Sequence, residues 1–409
     1  MSYKVLSKNR DYCLMQGANF VNRLGDSIDA IALSWLIYDL SQSPAIAAIN
    51  FAINFLPTVL LQPFMGAFVT NKPKKDIMVL ADMARFLIVS FLAVMVWLNQ
   101  ATSFMIICCT FLMSCFETLR LPAASSILPL LINEKEYSVG VSFASALSRI
   151  TELVGTGIAG FVIGFLGLHF AILLDGLSFL LSGLLIMLIK VKESFTNSVL
   201  KASFKENFLF GIRYALKNKA LMYIAIIACL ANMMIVPFNA LQSAFVSLYY
   251  HGDASILSIM GIGVSIGSIL GGLLYPKIVD RVKIKTMLLT IFPTCSLFYV
   301  FSLLCGRIMN YQLMIVAIGL VNFLLGINVG LANCYVSVLL MVKCEQDYLS
   351  RVSGFFNAIS VMFMPVLSLI VSIVSNYLTI PTIFIISAII MAIISVITYV
   401  DKRLEILNA

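Results

Sequence analysis

The segment Asn19–Ala30, NFVNRLGDSIDA, sets three charges inside an apolar part of the chain. The apolar run extends from about residue 12 to residue 38, which at ~1.5 Å per residue in a helix is long enough to cross a bilayer. A charge at the centre of such a span costs on the order of 2.5–3.5 kcal/mol on insertion scales. Arg23, Asp26 and Asp29 are therefore expected to face protein or water rather than lipid.

The three charges lie on one face of the predicted helix, because Arg23 and Asp26 are three residues apart and so are Asp26 and Asp29. Two interpretations are open. The face can hold a buried structural ion pair, or it can line a polar pathway through the membrane. The pathway is favoured, since one arginine can neutralise only one of the two carboxylates.

The composition excludes a soluble protein. Of the 409 residues, 61% are hydrophobic and only 11% are charged, and the mean hydropathy is +1.02. A soluble domain of this size has too little interior to hide that much apolar surface. The sequence therefore predicts an all-α membrane protein that crosses the bilayer many times.

The basic residues are confined to alternate loops of the chain. Lysine and arginine cluster in loops such as Lys72–Lys75 and Lys277–Lys285, whereas the intervening loops together contain only Arg307. By the positive-inside rule, both chain ends are predicted to lie in the cytoplasm. This distribution accounts for the net charge of +8, so a lipid bilayer is expected as a partner and nucleic acid is not.

Twelve apolar runs of roughly 20 residues or more form two sets of six. The predicted spans cover residues 12–38, 45–68, 77–98, 103–121, 138–165, 168–190, 220–248, 254–276, 286–305, 311–342, 351–375 and 380–400. Residues 1–190 are predicted to form an N-terminal six-helix bundle and residues 220–409 a C-terminal one. Residues 191–219 are predicted to form a cytoplasmic linker with an amphipathic helix on the inner membrane surface.

The two sets of spans repeat each other weakly, at offsets near half of the chain. Asp29-Ala30 corresponds to Asn239-Ala240, and Gly66 before one basic loop corresponds to Gly272 before another. Two pseudo-symmetric six-helix halves in parallel orientation are one plan of a secondary transporter, with the substrate site between them.

Several motifs resemble those of the major facilitator superfamily. They are the basic loop after the second span and the similar basic loop after the eighth, Leu80–Arg85 (LADMAR), Pro122–Pro129 (PAASSILP), Gly211–Arg213 (GIR) and Ser350–Gly354 (SRVSG). The segments look most like the branch that contains bacterial macrolide-efflux proteins and the enterobactin exporter. The resemblance covers essentially the whole chain, and it implies the major facilitator fold, drug:proton antiport and the bacterial cytoplasmic (inner) membrane.

Two signatures depart from the family pattern. The loop after the second span usually has the form Gly-x-x-x-Asp-Arg-x-Gly-Arg-Lys, but here Thr70 stands at the acidic position. The antiporter signature of the fifth span usually contains Gly-Pro, whereas Gly155–Gly160 keeps its glycines without the proline. The usual ion-pair latch is therefore missing or rebuilt, and the second motif alone does not indicate antiport.

Four predicted helices carry an acid and a base three residues apart, where each pair can neutralise itself or exchange partners between helices. The pairs are Arg23/Asp26, Asp82/Arg85, Glu117/Arg120 and Arg149/Glu152. Pairs near the cytoplasmic ends are expected to latch that end in one conformation and to release it in the other. The predicted gate and latch residues are Gly66, Lys74, Lys75, Asp82, Arg85, Arg120, Asp280, Arg281 and Arg351.

Asp29 and Asp175 are the embedded acids with no basic residue three or four positions away. Burial disfavours the charged form of a carboxyl group and a nearby cation favours it, so an unpartnered acid is the better candidate to exchange a proton. In the superfamily it resembles, span 1 lines the cavity and span 6 packs outside it, which ranks Asp29 ahead of Asp175. For Asp175, a buried hydrogen-bonded carboxylate is the alternative. The predicted coupling and cavity residues are Arg23, Asp26, Asp29, Glu117, Arg149, Glu152 and Asp175.

The second half of the chain offers neutral polar side chains in its spans instead of acids. The substrate-cavity candidates are Asn22, Trp35, Asn232, Asn239, Gln242, Asn328 and Asn357. Taken singly, each amide is more often a link between helices than a ligand contact. Charge and proton handling are therefore expected in the first half.

The favoured function is a proton-coupled secondary exporter of amphipathic small molecules such as drugs or macrolides, which works as a monomer by alternating access. The alternative is a dedicated metabolite, siderophore or lipid transporter, or a substrate–proton symporter, of the same fold. No nucleotide-binding, hydrolase or metal-ligand motif occurs, so an enzyme, a cofactor and a metal are not expected. A membrane receptor would need a sensory domain, for which the sequence gives no indication.

Overall fold

The computed structural model describes residues 8–70, 72–132, 137–191, 219–279, 289–343, 356 and 359–400. The predicted amphipathic helix in the linker lies outside these residues, as do the predicted gate residues Asp280, Arg281 and Arg351 and the cavity candidate Asn357.

Twelve helices run through the described residues, in the order of the twelve predicted spans. They are α1 (Arg10–Ser41), α2 (Pro44–Thr70), α3 (Lys74–Trp97), α4 (Ser103–Leu131), α5 (Tyr137–Leu166), α6 (Leu168–Met187), α7 (Lys219–Tyr249), α8 (Ala254–Val279), α9 (Ile291–Cys305), α10 (Tyr311–Lys343), α11 (Met364–Val374) and α12 (Ile380–Val400). Within the described ranges, nine of them are long and apolar enough to cross a membrane. The all-α membrane fold predicted from the sequence is confirmed.

Most helices agree with their predicted bounds to within a few residues, and the largest difference is at the end of α4. The predicted fourth span ends at residue 121, but α4 continues through Pro122 to Leu131. Pro122 lacks the N–H that would bond to the carbonyl oxygen of Thr118, and membrane helices tolerate such a missing donor where their neighbours compensate for it. The predicted eleventh span covers residues 351–375, of which residues 351–355, 357 and 358 lie outside the described part of the chain. Residues 359–361 are helical, a turn follows at Met362 and Phe363, and α11 then begins at Met364 with Pro365 in its first turn, where a missing N–H is harmless.

The chain divides into two compact units. The first comprises residues 1–42 and 53–200, and the second comprises residues 43–52 and 201–409. The beginning of α2 therefore groups with the second unit, where Ser368 Oγ of α11 donates to the carbonyl oxygen of Ala48 at 2.6 Å. The bundle boundaries drawn from the sequence remain a prediction.

In the first unit, α1 packs against α5 and α6, and α3 packs against α4 and α6. An apolar cluster with Tyr12, Met78 and Ile127 at its centre lies at one end of these helices. Lys75 Nζ donates to the carbonyl oxygens of Met187 and Ile189 at 2.7 and 2.8 Å. A cation at a helix C-terminus stabilises the carbonyl groups that have no intrahelical partner, so Lys75 ties the start of α3 to the end of α6.

In the second unit, rings from α7, α9 and α12 form an aromatic core. Phe238 contacts Phe298 edge-to-face at 4.6 Å between centroids, and Phe245 contacts Phe384 at 4.7 Å. Tyr299 is also buried in this group, and its hydroxyl donates to the carbonyl oxygen of Met234 at 2.7 Å. Edge-to-face pairs at such distances add about 0.5–1.5 kcal/mol each to the burial of their surface.

The same unit contains a close contact between α8 and α10, made by glycines on both helices. A Cβ atom at Gly267 would overlap the carbonyl oxygen of Phe323, and one at Gly326 would overlap the carbonyl oxygen of Val264. Small residues of this kind let two membrane helices approach closely.

We expect Gly267→Ala to lower the thermal unfolding temperature of the purified protein, because the new methyl group meets backbone rather than a mobile side chain. Overpacking of this kind costs about 1–3 kcal/mol. The matched control is Gly164→Ala on α5, where an added Cβ meets nothing within 4 Å. Equal unfolding temperatures for the two variants would show that α8 and α10 are not held by this contact.

Candidate functional site

The ion pair between Asp82 and Arg120, together with its hydrogen bonds to other side chains, connects four helices of the first unit. Asp82 of α3 is fully buried. Its Oδ1 accepts from Arg120 Nε of α4 at 2.7 Å and from Asn22 Nδ2 of α1 at 3.2 Å. Its Oδ2 accepts from Ser182 Oγ of α6 at 2.7 Å. Since charged groups are stable in a low-dielectric interior only when paired and hydrogen-bonded, this pair is a structural junction.

Asn22 is a substrate-cavity candidate by its position in the sequence, but the structure places it in this junction. Its side chain is buried and its amide group donates to Asp82. The spacing in the sequence could not reveal this role, because it shows which face of α1 a residue occupies but not which helix covers that face.

A second ion pair lies between α1 and α3. Arg85 Nη2 donates to Asp26 Oδ1 at 2.5 Å, with the arginine side chain 3% and the aspartate side chain 19% exposed. The Arg85 guanidinium also lies over the ring of Phe179 of α6, 3.9 Å from its centroid, where the ring quadrupole attracts the cation. The arginine is therefore fixed from two sides.

A third and more open group connects α1 to α5. Arg23 Nη2 and Arg149 Nη1 both donate to Glu152 Oε2, at 3.1 and 3.3 Å. The side chains of Arg23 and Glu152 are 41% and 31% exposed, and that of Arg149 is 58% exposed. This group presents charges of both signs at an accessible surface of the first unit.

We expect Glu152→Gln to change the free energy of unfolding by less than about 1 kcal/mol, because ion pairs this exposed contribute little to stability. Thermal unfolding in detergent measures the effect. A large loss of stability would show that the group is structural rather than part of a binding surface.

Three of the four predicted acid–base pairs exchange partners between helices. Of the four pairs, only Arg149 and Glu152 bond within their own helix, and Glu152 also accepts a hydrogen bond from Arg23. The fourth acid, Glu117 of α4, lies within electrostatic reach of Arg85, Asp26, Arg23 and Arg120. Exchange between helices means that the charges lock α1, α3, α4 and α5 to one another.

Asp29 and Asp175 differ from the other acids of the first unit. Asp29 is 6% exposed, and its Oδ1 has no hydrogen-bond partner among the described residues. Asp175 is fully buried, and its Oδ2 likewise has no partner in the part of the chain that the structure describes. Its other oxygen is 3.4 Å from Ser178 Oγ. An ionised carboxylate in this position would be costly, so both side chains suit proton binding.

The remaining cavity candidates are spread over both units. Trp35, Asn239 and Gln242 are half-buried. Asn232 Nδ2 donates to the carbonyl oxygen of Ser360 at 3.0 Å, so it connects helices. Asn328 Nδ2 donates to Thr290 Oγ1 at 3.0 Å, and within the described ranges its Oδ1 has no partner.

Of the predicted gate residues within the described ranges, Asp82, Arg85, Arg120 and Lys75 have the contacts given above. Lys74 also has a partner. The surroundings of Gly66 lie outside what the structure describes.

Two residues of the charged group are absent from the sequence predictions. They are Phe179 and Ser182 of α6, which contact Arg85 and Asp82. A signal for them is present in the sequence, because Asp175, Ser178, Phe179 and Ser182 recur at the spacing of one helix face.

Comparison with known proteins supports the family suggested by the motifs. The family model described as Major Facilitator Superfamily matches residues 17–368. The uncharacterised MFS-type transporter YkuC of Bacillus subtilis is 24% identical over 288 residues, which cover 66% of each chain. The transporter YvqJ of the same organism is 22% identical over 283 residues, 68% of this chain and 66% of that one. The matches thus span just under two thirds of either relative.

Solved structures of transporters share the fold. The nucleoside transporter NupG has a TM-score of 0.76 at 14% identity and covers 96% of this chain and 100% of its own. A bacterial homologue of the iron transporter ferroportin, in an inward-facing state, has a TM-score of 0.69 at 13% identity over 96% and 99% of the chains. With the family model matching most of its length, the chain belongs to the major facilitator superfamily of membrane transporters.

Proposed function

We propose that this chain is a proton-coupled secondary exporter of amphipathic small molecules that works by alternating access, with Asp29 as its coupling acid. The observation that carries the proposal is the buried, unpartnered oxygen of Asp29 on α1, among the residues that the structure describes. An ionisable residue within a membrane span that has no partner marks a proton or substrate pathway by default.

The coupling step follows from the surroundings of Asp29. Burial disfavours the charged form of a carboxyl group, and the cation that acts on it, Arg85, is held by Asp26. Asp29 is therefore expected to keep a proton until a competing cation or a route to water is available. Exchange of that proton for substrate biases the protein between its inward- and outward-facing states.

The accessible charges suggest the chemistry of the substrate. Arg23, Arg149 and Glu152 present both signs on α1 and α5, and half-buried Trp35 offers an apolar ring. Such a surface suits a zwitterion or an amphipathic cation. The embedded acids of the first unit outnumber its embedded bases, which favours a cation.

The assignments of drug efflux, membrane topology and oligomeric state rest mainly on the sequence. The motifs from Leu80 to Gly354 resemble the macrolide-efflux and enterobactin-exporter branch, which supports drug efflux and a role in multidrug resistance. The basic loops support cytoplasmic chain ends, and the Bacillus subtilis relatives support the bacterial cytoplasmic membrane. A monomer is the expected state. The bonds of the four gate residues described above suit a latch that holds one conformation.

A second candidate is a dedicated metabolite, siderophore or lipid transporter, or a symporter that works inward. The missing proline in Gly155–Gly160 favours it, because the antiporter signature is incomplete. Structures with the same fold include a nucleoside transporter and a bacterial homologue of the lysosomal transporter Spinster. A narrow substrate range or uptake together with protons would distinguish this candidate.

The test uses the purified protein in proteoliposomes with an acidic interior. Uptake of ethidium, a fluorescent lipophilic cation, is followed together with the internal pH. Antiport predicts that ethidium accumulates while the interior becomes more alkaline, and that collapse of the gradient with nigericin stops both. Ethidium movement that does not respond to the gradient, or no movement, would contradict the proposal and lead to a screen of metabolites.

A further inference from the structure

We propose that α6 supplies a second proton-binding site at Asp175, which works with Asp29 across the contact between α6 and α1. The use of these protons in transport rests on the proposed function. The existence of the site does not. With this site, the interior of the first unit binds two exchangeable protons rather than one.

The packing of α1 brings the two acids close together. A Cβ atom at Gly25 would overlap Asp175 Oδ1 and Ser178 Oγ, so the absence of a side chain there lets α6 place its carboxyl group against the α1 backbone. Asp29 lies four residues after Gly25, which is the next position on the same helix face, ~5–6 Å away.

No cation is bonded to either carboxyl group among the described residues. The charged groups that α1 presents toward this contact are Asp26 and Asp29, and those of α3 are Asp82 and Arg85. Arg85 bonds to Asp26, and Asp82 bonds to Arg120. The third helix that packs against α6 is α5. Its charged residues Arg149 and Glu152 bond to each other.

A count of charges agrees with two protonated acids in this group. The connected group contains six acids and four bases, an excess of two acids. The acids are Asp26, Asp29, Asp82, Glu117, Glu152 and Asp175, and the bases are Arg23, Arg85, Arg120 and Arg149. Asp26, Asp82 and Glu152 are paired with the four bases. The four bases exceed these three acids by one positive charge, which Glu117 balances when it is ionised.

The two remaining acids are Asp29 and Asp175, and the group is neutral when both are protonated and Glu117 is ionised. Ionising one makes it harder to ionise the other, so the pair is expected to lose its protons in two separate steps. Asp29 keeps a small exposed area and Asp175 has none. The proton of Asp175 is thus expected to leave by way of Asp29, and the two acids have different roles.

The test records infrared difference spectra of the full chain in liposomes as the pH is raised, and follows the carbonyl stretch of protonated carboxyl groups. Wild type is expected to lose two such groups in separate steps. Asp29→Asn and Asp175→Asn are each expected to remove one of them, and the double variant both. Asp39→Asn is the control, because Asp39 on α1 is exposed. Ser178→Ala keeps both acids and is expected to shift only the Asp175 band.

A spectrum of Asp175→Asn identical to that of wild type would overturn the inference, as would a Ser178→Ala variant that shifts no band. In the ethidium assay, Asp175→Asn is expected to reduce the number of protons exchanged per ethidium by about half. If both bands are present but the pH gradient does not drive ethidium, the proposed function fails and the two-proton site stands.

Discussion

Asp29→Asn is expected to abolish pH-driven ethidium transport while the protein remains folded. Asparagine has nearly the same shape as a protonated aspartate, and the Oδ1 position of Asp29 accepts no hydrogen bond among the described residues. The substitution therefore removes the exchangeable proton without opening a cavity or breaking an ion pair. It fixes the side chain in its neutral state, so a pH gradient no longer changes the balance between conformations.

The measurement compares wild type, Asp29→Asn and Asp39→Asn in the same proteoliposomes. Uptake by Asp29→Asn should fall to the level of protein-free liposomes, while Asp39→Asn, which alters an exposed carboxyl group of the same helix, should behave as wild type. Elution as a single peak in size-exclusion chromatography shows that the variant is folded. Coupled transport at the wild-type rate would remove Asp29 from the mechanism.

Asp82→Ala is expected to have the largest effect on stability of any single charge removal in the first unit. The substitution leaves Arg120, which is buried, without its carboxylate partner and frees the donors of Asn22 and Ser182. Breaking a buried pair from one side costs about 3–5 kcal/mol, because an uncompensated charge remains in a low-dielectric interior. A large fall in the unfolding temperature and poor recovery from the membrane should follow.

The double variant Asp82→Leu with Arg120→Met is the informative control. It removes both charges, and replacement of a buried pair by apolar side chains is often neutral or stabilising. Recovery of most of the lost stability would assign the effect to the stranded Arg120 charge. A single variant that unfolds at the wild-type temperature would show that the junction does not hold the four helices together.

The helices could be predicted from the sequence because each depends on a local pattern. Long apolar runs fix the spans of a membrane protein, and the predicted and observed bounds of α12 are both 380–400. The fourth span is the main exception, because it is predicted to end at residue 121, just before Pro122, whereas α4 continues to Leu131. A membrane helix can continue through a proline, so the proline alone does not mark the end of α4.

The partners within the charged group could not be predicted in the same way. A spacing of three places Asp82 and Arg85 on one face of α3, but the two residues lie on successive turns and meet different neighbours. Asp82 bonds to α4 and Arg85 to α1. Choosing among neighbours requires knowledge of how the helices pack, which depends on contacts such as that of Gly25 with α6.

The contrast between the two cores has a consequence for how the protein can diversify. The second unit is held by aromatic rings and by the glycines of α8 and α10, and no ion pair occurs within its described ranges. A single mutation there changes shape without disturbing a charge balance. In the first unit, the loss of Asp82 leaves the buried Arg120 without a partner, so changes at this junction are tolerated best in compensating pairs. Substitutions are therefore expected to accumulate more freely in the core of the second unit than at the Asp82–Arg120 junction of the first.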